Sequence, residues 1–164
     1  MHNVFYRVGM FERFDEYFDE VFQAFAGPAH WALFPETRGV LERLRAGGLE
    51  LGIISNFDTR LFDVLRGLGI GDLFDTVTIS SLACAVKPSP RIFHAALEKH
   101  VVDPEDAWHI GDSLEEDVGG ARRAGLGAVL LDRNHIQPLA DPASAPEIRT
   151  VRTLQELEPL LGGL

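Results

Sequence analysis

From Pro35 onward the chain alternates short apolar runs with helical patterns, and this alternation restricts the fold more than any other feature of its 164 residues. Thr37 to Ala46 reads as a helix ended by Gly47-Gly48, and Leu49 to Ser55 as a short apolar strand. Thr59 to Leu68 is helical and closes at Gly69, and Thr76 to Ser80 is a strand. Pro90 to His100 is a helix that opens on proline, where a missing N–H does no harm. Ala107 to Gly111 reads as a strand, Glu115 to Ala124 as a helix capped by Gly125, and Gly127 to Asp132 as a strand. A weaker strand, Glu147 to Val151, precedes a last helix from Thr153 to Leu161, and Gln137 to Pro146, with three prolines, reads as a surface loop. A β-α-β-α order predicts an α/β fold with a parallel sheet and helices on both faces.

The first 34 residues differ from the rest, since they hold seven of the 11 phenylalanines. Phe11, Phe14, Phe18, Phe22 and Phe25 recur at spacings of 3, 4, 4 and 3, which is one face of an α-helix. The opposite face carries Glu12, Asp15, Glu16, Asp19 and Glu20, and the helix is expected to stop by Gly27-Pro28. The acidic run is read as a solvated face and not as a metal site. Each buried Phe is worth roughly 1.5–3 kcal/mol, so such a stripe needs a partner surface.

Composition narrows the function classes. The chain is 46% hydrophobic and 24% charged, enough apolar material for a real core. Its 15 Lys and Arg against 25 Asp and Glu give a formal net charge of -10, which repels a phosphate polyanion and argues against nucleic-acid binding. No run of 18 or more apolar residues argues for a membrane span, and Met1-His2-Asn3-Val4-Phe5 does not read as a signal peptide. The single cysteine, Cys84, excludes an internal disulfide framework and suits a reducing, cytoplasmic setting.

In an open parallel sheet, ligands bind beyond the carboxyl ends of the strands. Three such positions suit a phosphate. Ser55-Asn56 follows Leu51-Gly52-Ile53-Ile54, Lys87 precedes a helix, and Gly111-Asp112-Ser113 follows Trp108-His109-Ile110, with Asp117 five residues after Asp112. A hydroxyl and backbone N–H groups at a strand-to-helix turn hold phosphate oxygens. A Lys ammonium offsets charge developing in phosphoryl transfer. Asp112 and Asp117 are hard oxygen donors of the sort Mg²⁺ takes. Each piece alone also has a plain structural use: Ser55-Asn56 as a helix cap, Lys87 as a surface lysine, Asp112 as an N-cap.

Other phosphate folds fit worse. A response-regulator receiver places its phosphoacceptor Asp before the other two groups, whereas the order here is Ser55, Lys87, Asp112. Gly67-Leu68-Gly69-Ile70-Gly71 follows a helix and lacks the GxGxxG spacing, so it is a helix end and turn. No GxxxxGK[ST] occurs, and His30, His94, His100, His109 and His135 lack zinc-ligand spacing. His109, on an alternating strand, is expected to serve ordinary packing, as are Trp31 and Trp108.

The ordered set resembles the haloacid dehalogenase (HAD) superfamily, closest in wording to the branch of haloacid dehalogenase-like hydrolase domain-containing protein 3. The resemblance is carried by Ile53-Ile54-Ser55-Asn56-Phe57-Asp58, then by Lys87-Pro88-Ser89-Pro90-Arg91-Ile92-Phe93. Its last part is His109-Ile110-Gly111-Asp112-Ser113 through Asp117 to Gly120-Ala121, with Ala124-Gly125 following. These look like the family's second, third and fourth motifs in order. The resemblance implies a Rossmann-like core over 35–164 and the remnant of a helical cap over 1–34. It implies Ser55, Asn56 and Lys87 on the substrate phosphate, Lys87 and Asp112 as catalytic groups, and Asp112 with Asp117 around Mg²⁺. The activity implied is hydrolysis of a small phosphorylated metabolite through an aspartyl-phosphate intermediate.

The family's first motif, an Asp-x-Asp-x-Thr at the end of the first core strand, has no counterpart before Ser55. Its first Asp is the family's nucleophile, so the chain is expected to be inactive as it stands and to be truncated relative to the family, beginning in mid-cap. In the family that strand lies between the Ser55 and Asp112 strands. Three outcomes are expected of its loss: those two strands pair, a second chain supplies the contact, or the chain folds poorly. The alternative function is a non-catalytic protein that keeps the phosphate pocket or forms a homodimer through the Phe-rich face.

Overall fold

Among the described residues five short strands, all paired in parallel, form two sheets and not one. The computed structural model describes Glu20 and residues 27–134 and 148–161. The phenylalanine stripe at 11–25 and the proline-rich loop lie outside those residues, as does most of the expected cap remnant. In chain order, helix α1 (Thr37–Ala46) leads to strand β1 (Gly52–Ser55), helix α2 (Arg60–Gly67) and strand β2 (Thr76–Ile79). A single turn, α3 (Ser80–Ala83), and the long helix α4 (Pro90–His100) follow, then strand β3 (Trp108–Gly111). A widened helical turn, Leu114–Gly119, runs into α5 (Gly120–Arg123), and strands β4 (Gly127–Leu131) and β5 (Arg149–Val151) precede the short α6 (Glu158–Leu161).

Every strand and every long helix expected between Thr37 and Leu161 is present, with ends shifted by three residues at most. The helix expected from Glu115 begins as the wide turn, and the last helix begins as the 3-10 turn Leu154–Leu157. Ser89 caps α4 by accepting from the Arg91 N–H, and proline occupies the first turn, as its fixed φ favours. Gly69 and Gly125 leave their helices at φ +66° and +90°, a conformation that L side chains resist.

Strand β1 pairs with β2 from Gly52 opposite Thr76 to Ser55 opposite Ile79. Strand β3 pairs with β4 from Trp108 opposite Gly127, and β4 with β5 from Val129 opposite Arg149. Among the described residues β1 and β3 do not pair with each other, so each keeps one edge without a ladder. The first expected outcome, closure of the sheet by these two strands, is therefore not what forms. Along β1 the residues are half-buried save exposed Gly52, and along β3 all are half-buried.

Side-chain packing joins what the backbone leaves apart. Phe93 and Ile92 of α4 are fully buried in a cluster that includes Ala128 and Leu130 of β4 and takes in Ile54 of β1. The opposite face of the three-stranded sheet buries Val129, Val151 and Leu157, with Trp108 and Ile110 against them. Alternation along β3 thus sends Trp108 and Ile110 one way and His109 and Gly111 the other. Among the described residues no helix is long and apolar enough to cross a membrane.

Candidate active site

The carboxyl ends of β1 and β3 carry the polar residues that the sequence singles out. Ser55 ends β1, and the Asn56 amide beyond it is pinned to the backbone of Lys87. Asn56 Oδ1 accepts from the Lys87 N–H at 2.7 Å, and Asn56 Nδ2 donates to the Lys87 carbonyl at 3.0 Å. Nδ2 also reaches Glu116 Oε2 at 3.3 Å. Asn56 therefore ties the loop bearing Lys87 to β1, a use of its side chain that the motif alone does not show.

Lys87 Nζ donates to Asp117 Oδ1 at 2.5 Å, with the two side chains 13% and 4% exposed. The same oxygen accepts from His109 Nε2 at 2.9 Å, and Oδ2 accepts from the Ser113 N–H at 3.0 Å. Because an ionised carboxylate only accepts, His109 carries its proton on Nε2. The His109 ring also meets Phe93 edge-on, with centroids 5.1 Å apart. Burial pushes the Asp117 carboxyl up, but the hydrogen bonds from His109, Lys87 and the Ser113 N–H outweigh it and hold the group well below the usual carboxylate range.

Gly111 is what admits that carboxylate. A Cβ on Gly111 would lie 2.1 Å from Asp117 Cγ, well inside contact distance. Ser113 caps the turn that carries Asp117 by accepting from the Glu116 N–H at 3.1 Å. Strand end, cap and wide turn together bring Asp117 back beneath the end of β3.

Asp112 is exposed at the end of β3 and faces a cleft of about 550 Å³, together with Phe34, Thr37, Gly111, Asp132 and Arg133. One wall is rigid. Arg133 lies 3.8 Å over the Phe34 ring and donates to Glu36 Oε1 at 2.6 Å, which lowers the Glu36 carboxyl below its usual range. Ser55, Asn56, Lys87 and Asp117 do not line this cleft. The structure thus bonds Asn56, Lys87 and Asp117 into one network and sets Asp112 at its margin, beside open space.

Sequence reasoning assigned His109 to packing; it packs on Phe93 and also bonds Asp117. The signal was present, since His109 and Gly111 share one face of β3 by simple alternation. Glu116, bonded to Asn56, was not singled out at all.

Comparison with known proteins gives the kinship. A family model for haloacid dehalogenase-like hydrolases matches residues 8–125. Haloacid dehalogenase-like hydrolase domain-containing protein 3 of Bos taurus is 38% identical over 146 residues, covering 87% of this chain and 57% of the relative. A phosphoserine phosphatase of Thermus thermophilus is 38% identical over 120 residues, covering 73% of this chain and 47% of that one. Among solved structures, a HAD phosphatase from Thermococcus onnurineus superposes with a TM-score of 0.75 at 34% identity, covering 89% of this chain and 65% of that chain. The chain spans little more than half the length of the Bos taurus relative. With motifs, fold and matched residues in agreement, the chain belongs to the haloacid dehalogenase-like hydrolases.

Proposed function

We propose that this chain supplies the phosphate-holding part of a Mg²⁺-dependent phosphatase site for a small phosphorylated metabolite. The buried Lys87–Asp117 pair carries the reading: Asn56, next to Ser55 at the end of β1, is bonded to the Lys87 backbone, and Asp117 is bonded to the Ser113 N–H just past β3. A phosphate oxygen seated there would meet the Ser55 hydroxyl and the Lys87 ammonium, a charge-assisted pairing of the strong kind. The phosphatases among the relatives support the substrate class. The cleft beside Asp112 offers room for the organic part of the substrate.

The donor set fits Mg²⁺ of the usual half-hydrated type. Among the described residues no three His, Cys, Asp or Glu side chains converge as a cage. Mg²⁺ needs none, since it keeps several waters and takes one or two carboxylates plus phosphate oxygens. Asp112, exposed at the site's margin, is the residue that would hold it. The bound ion would supply neutralisation of phosphate charge.

The chemistry expected of the family is attack by a carboxylate on phosphorus, then hydrolysis of the aspartyl-phosphate. Nothing preceding Ser55 reads as the attacking group. Losing such a group costs on the order of 10⁴–10⁶ in rate. The chain alone, assayed with p-nitrophenyl phosphate and Mg²⁺, is expected to bind orthophosphate in calorimetry and to show no appreciable turnover. Robust turnover that Asp112→Asn abolishes would mean the chain carries its own nucleophile and would overturn the inactive reading.

A further inference from the structure

We propose that Thr76, His100 and Glu50 form a second reactive site, at the end of β1 and β2 away from Ser55, where Thr76 takes a small acyl group from an activated ester. The inference is independent of the phosphate reading and uses none of its residues.

The direction of α4 brings the three together. Strands β1 and β2 are parallel, so Glu50, two residues ahead of β1, and Thr76, the first residue of β2, share one end of their sheet. Helix α4 packs on both strands and delivers its last residue, His100, to that same end. His100 Nε2 lies 2.6 Å from Thr76 Oγ1, and His100 Nδ1 lies 2.8 Å from Glu50 Oε2. The His100 side chain is 12% exposed and that of Glu50 63%. Gly52, opposite Thr76, makes the close approach possible: a Cβ there would stand 2.6 Å from His100 Nε2 and 3.0 Å from Thr76 Oγ1. Asp75, the residue before Thr76, spends its own carboxylate on the Leu51 N–H and on Arg45.

The protons follow from the donors. An ionised carboxylate only accepts, so the bond to Glu50 puts the His100 proton on Nδ1. Nε2 of the neutral ring is then an acceptor, and the Thr76 hydroxyl donates to it. A hydroxyl within reach of a base, with the base held by a third group, is the arrangement of an activated nucleophile. In the acyl transfer Thr76 Oγ1 bonds to the acyl carbon while its proton passes to His100 Nε2. The bond from that carbon to the leaving oxygen breaks, and the leaving group departs with the electron pair. Glu50 offsets the charge that the imidazolium gains. Thr76 is half-buried, which restricts the acyl group to a small one such as acetyl.

The test treats the full 164-residue chain with p-nitrophenyl acetate and follows the acetylated residues by mass spectrometry of its peptides. An acetyl group is expected on Thr76, and Thr76→Val removes it. His100→Gln keeps hydrogen-bonding groups but supplies no base, and is expected to slow acetylation of Thr76 about a hundredfold, within the usual scale of general-base catalysis. Glu50→Gln, at an exposed position, is expected to slow it about tenfold or more, as loss of the group that orients a base does. Acetylation of lysines and of exposed Cys84 in the same spectra is expected to stay at the parent's level in every variant and shows that the reagent acts. A parent chain acetylated at lysines or Cys84 but not at Thr76 overturns the proposal. So does a His100→Gln protein that melts like the parent and acetylates Thr76 at the parent's rate. Should His100→Gln fail to fold, Glu50→Gln decides: a slowed Thr76 upholds the proposal, and the parent's rate overturns it.

Discussion

Lys87 Nζ and Asp117 Oδ1 lie 2.5 Å apart in a position where water reaches neither side chain freely, at 13% and 4% exposure. Thirty residues of chain separate them, and α4 lies between. Removing one member of a buried pair strands the other, at a cost of about 3–5 kcal/mol. Lys87→Met is expected to lose stability in that range in denaturant titration, far more than the same change at Lys99, whose ammonium bonds to the neutral Val77 carbonyl and Thr78 hydroxyl.

The same pair sets the acid response. Asp117 has a folded pKa below its ordinary value of 3.8, so its contribution to stability is complete above that value and is lost as pH falls further, toward the folded pKa. Melting temperature followed from pH 7 down to pH 3 is expected to fall steeply only near the acid end. Asp117→Asn starts lower and loses that part of the slope. A variant with the parent's full acid slope would assign it to other carboxylates, such as Asp58 or Glu36, whose pKa values are also lowered by arginine partners.

Gly111 and Asp117 compete for one volume. Gly111→Ala places a methyl 2.1 Å from Asp117 Cγ, so the carboxylate has to leave its three donors or β3 has to shift. Overpacking of this kind costs roughly 1–3 kcal/mol. We expect lower thermal stability together with weakened orthophosphate binding, whereas Gly47→Ala, at a helix end remote from the site, leaves binding unchanged.

Val101 ends α4 at φ +55° with its side chain 91% exposed. A left-handed L residue costs roughly 1–2 kcal/mol, and a β-branched one packs nothing here to offset it. Val101→Asn is expected to raise the melting temperature by a few degrees, since about 1 kcal/mol shifts a chain of this size by roughly 2–4 °C. No change in orthophosphate binding should accompany it.

The alternation of patterns made the strands and long helices legible, because each is a local matter of period, caps and glycine stops. That Asn56, Lys87 and Asp117 meet was legible for another reason: they lie just past strands or just before a helix, where parallel folds gather polar groups. What each does there was less accessible. Asn56 spends its amide on the Lys87 backbone, and Asp117 has three donors, because partners 31 and 30 residues away converge only after folding. His109 packs on Phe93 as a histidine on an alternating strand is expected to, and its further bond to Asp117 follows from sharing a strand face with Gly111.

The two separate sheets have a mechanical consequence. Rungs of backbone hydrogen bonds hold neighbouring strands at a stiff, nearly constant separation, but none spans from β1 to β3 among the described residues. What crosses that gap at the strand ends are side-chain links, such as Asn56 to the Lys87 backbone and the 3.3 Å reach from Asn56 to Glu116. Asn56→Ala removes these links and leaves every backbone rung in place.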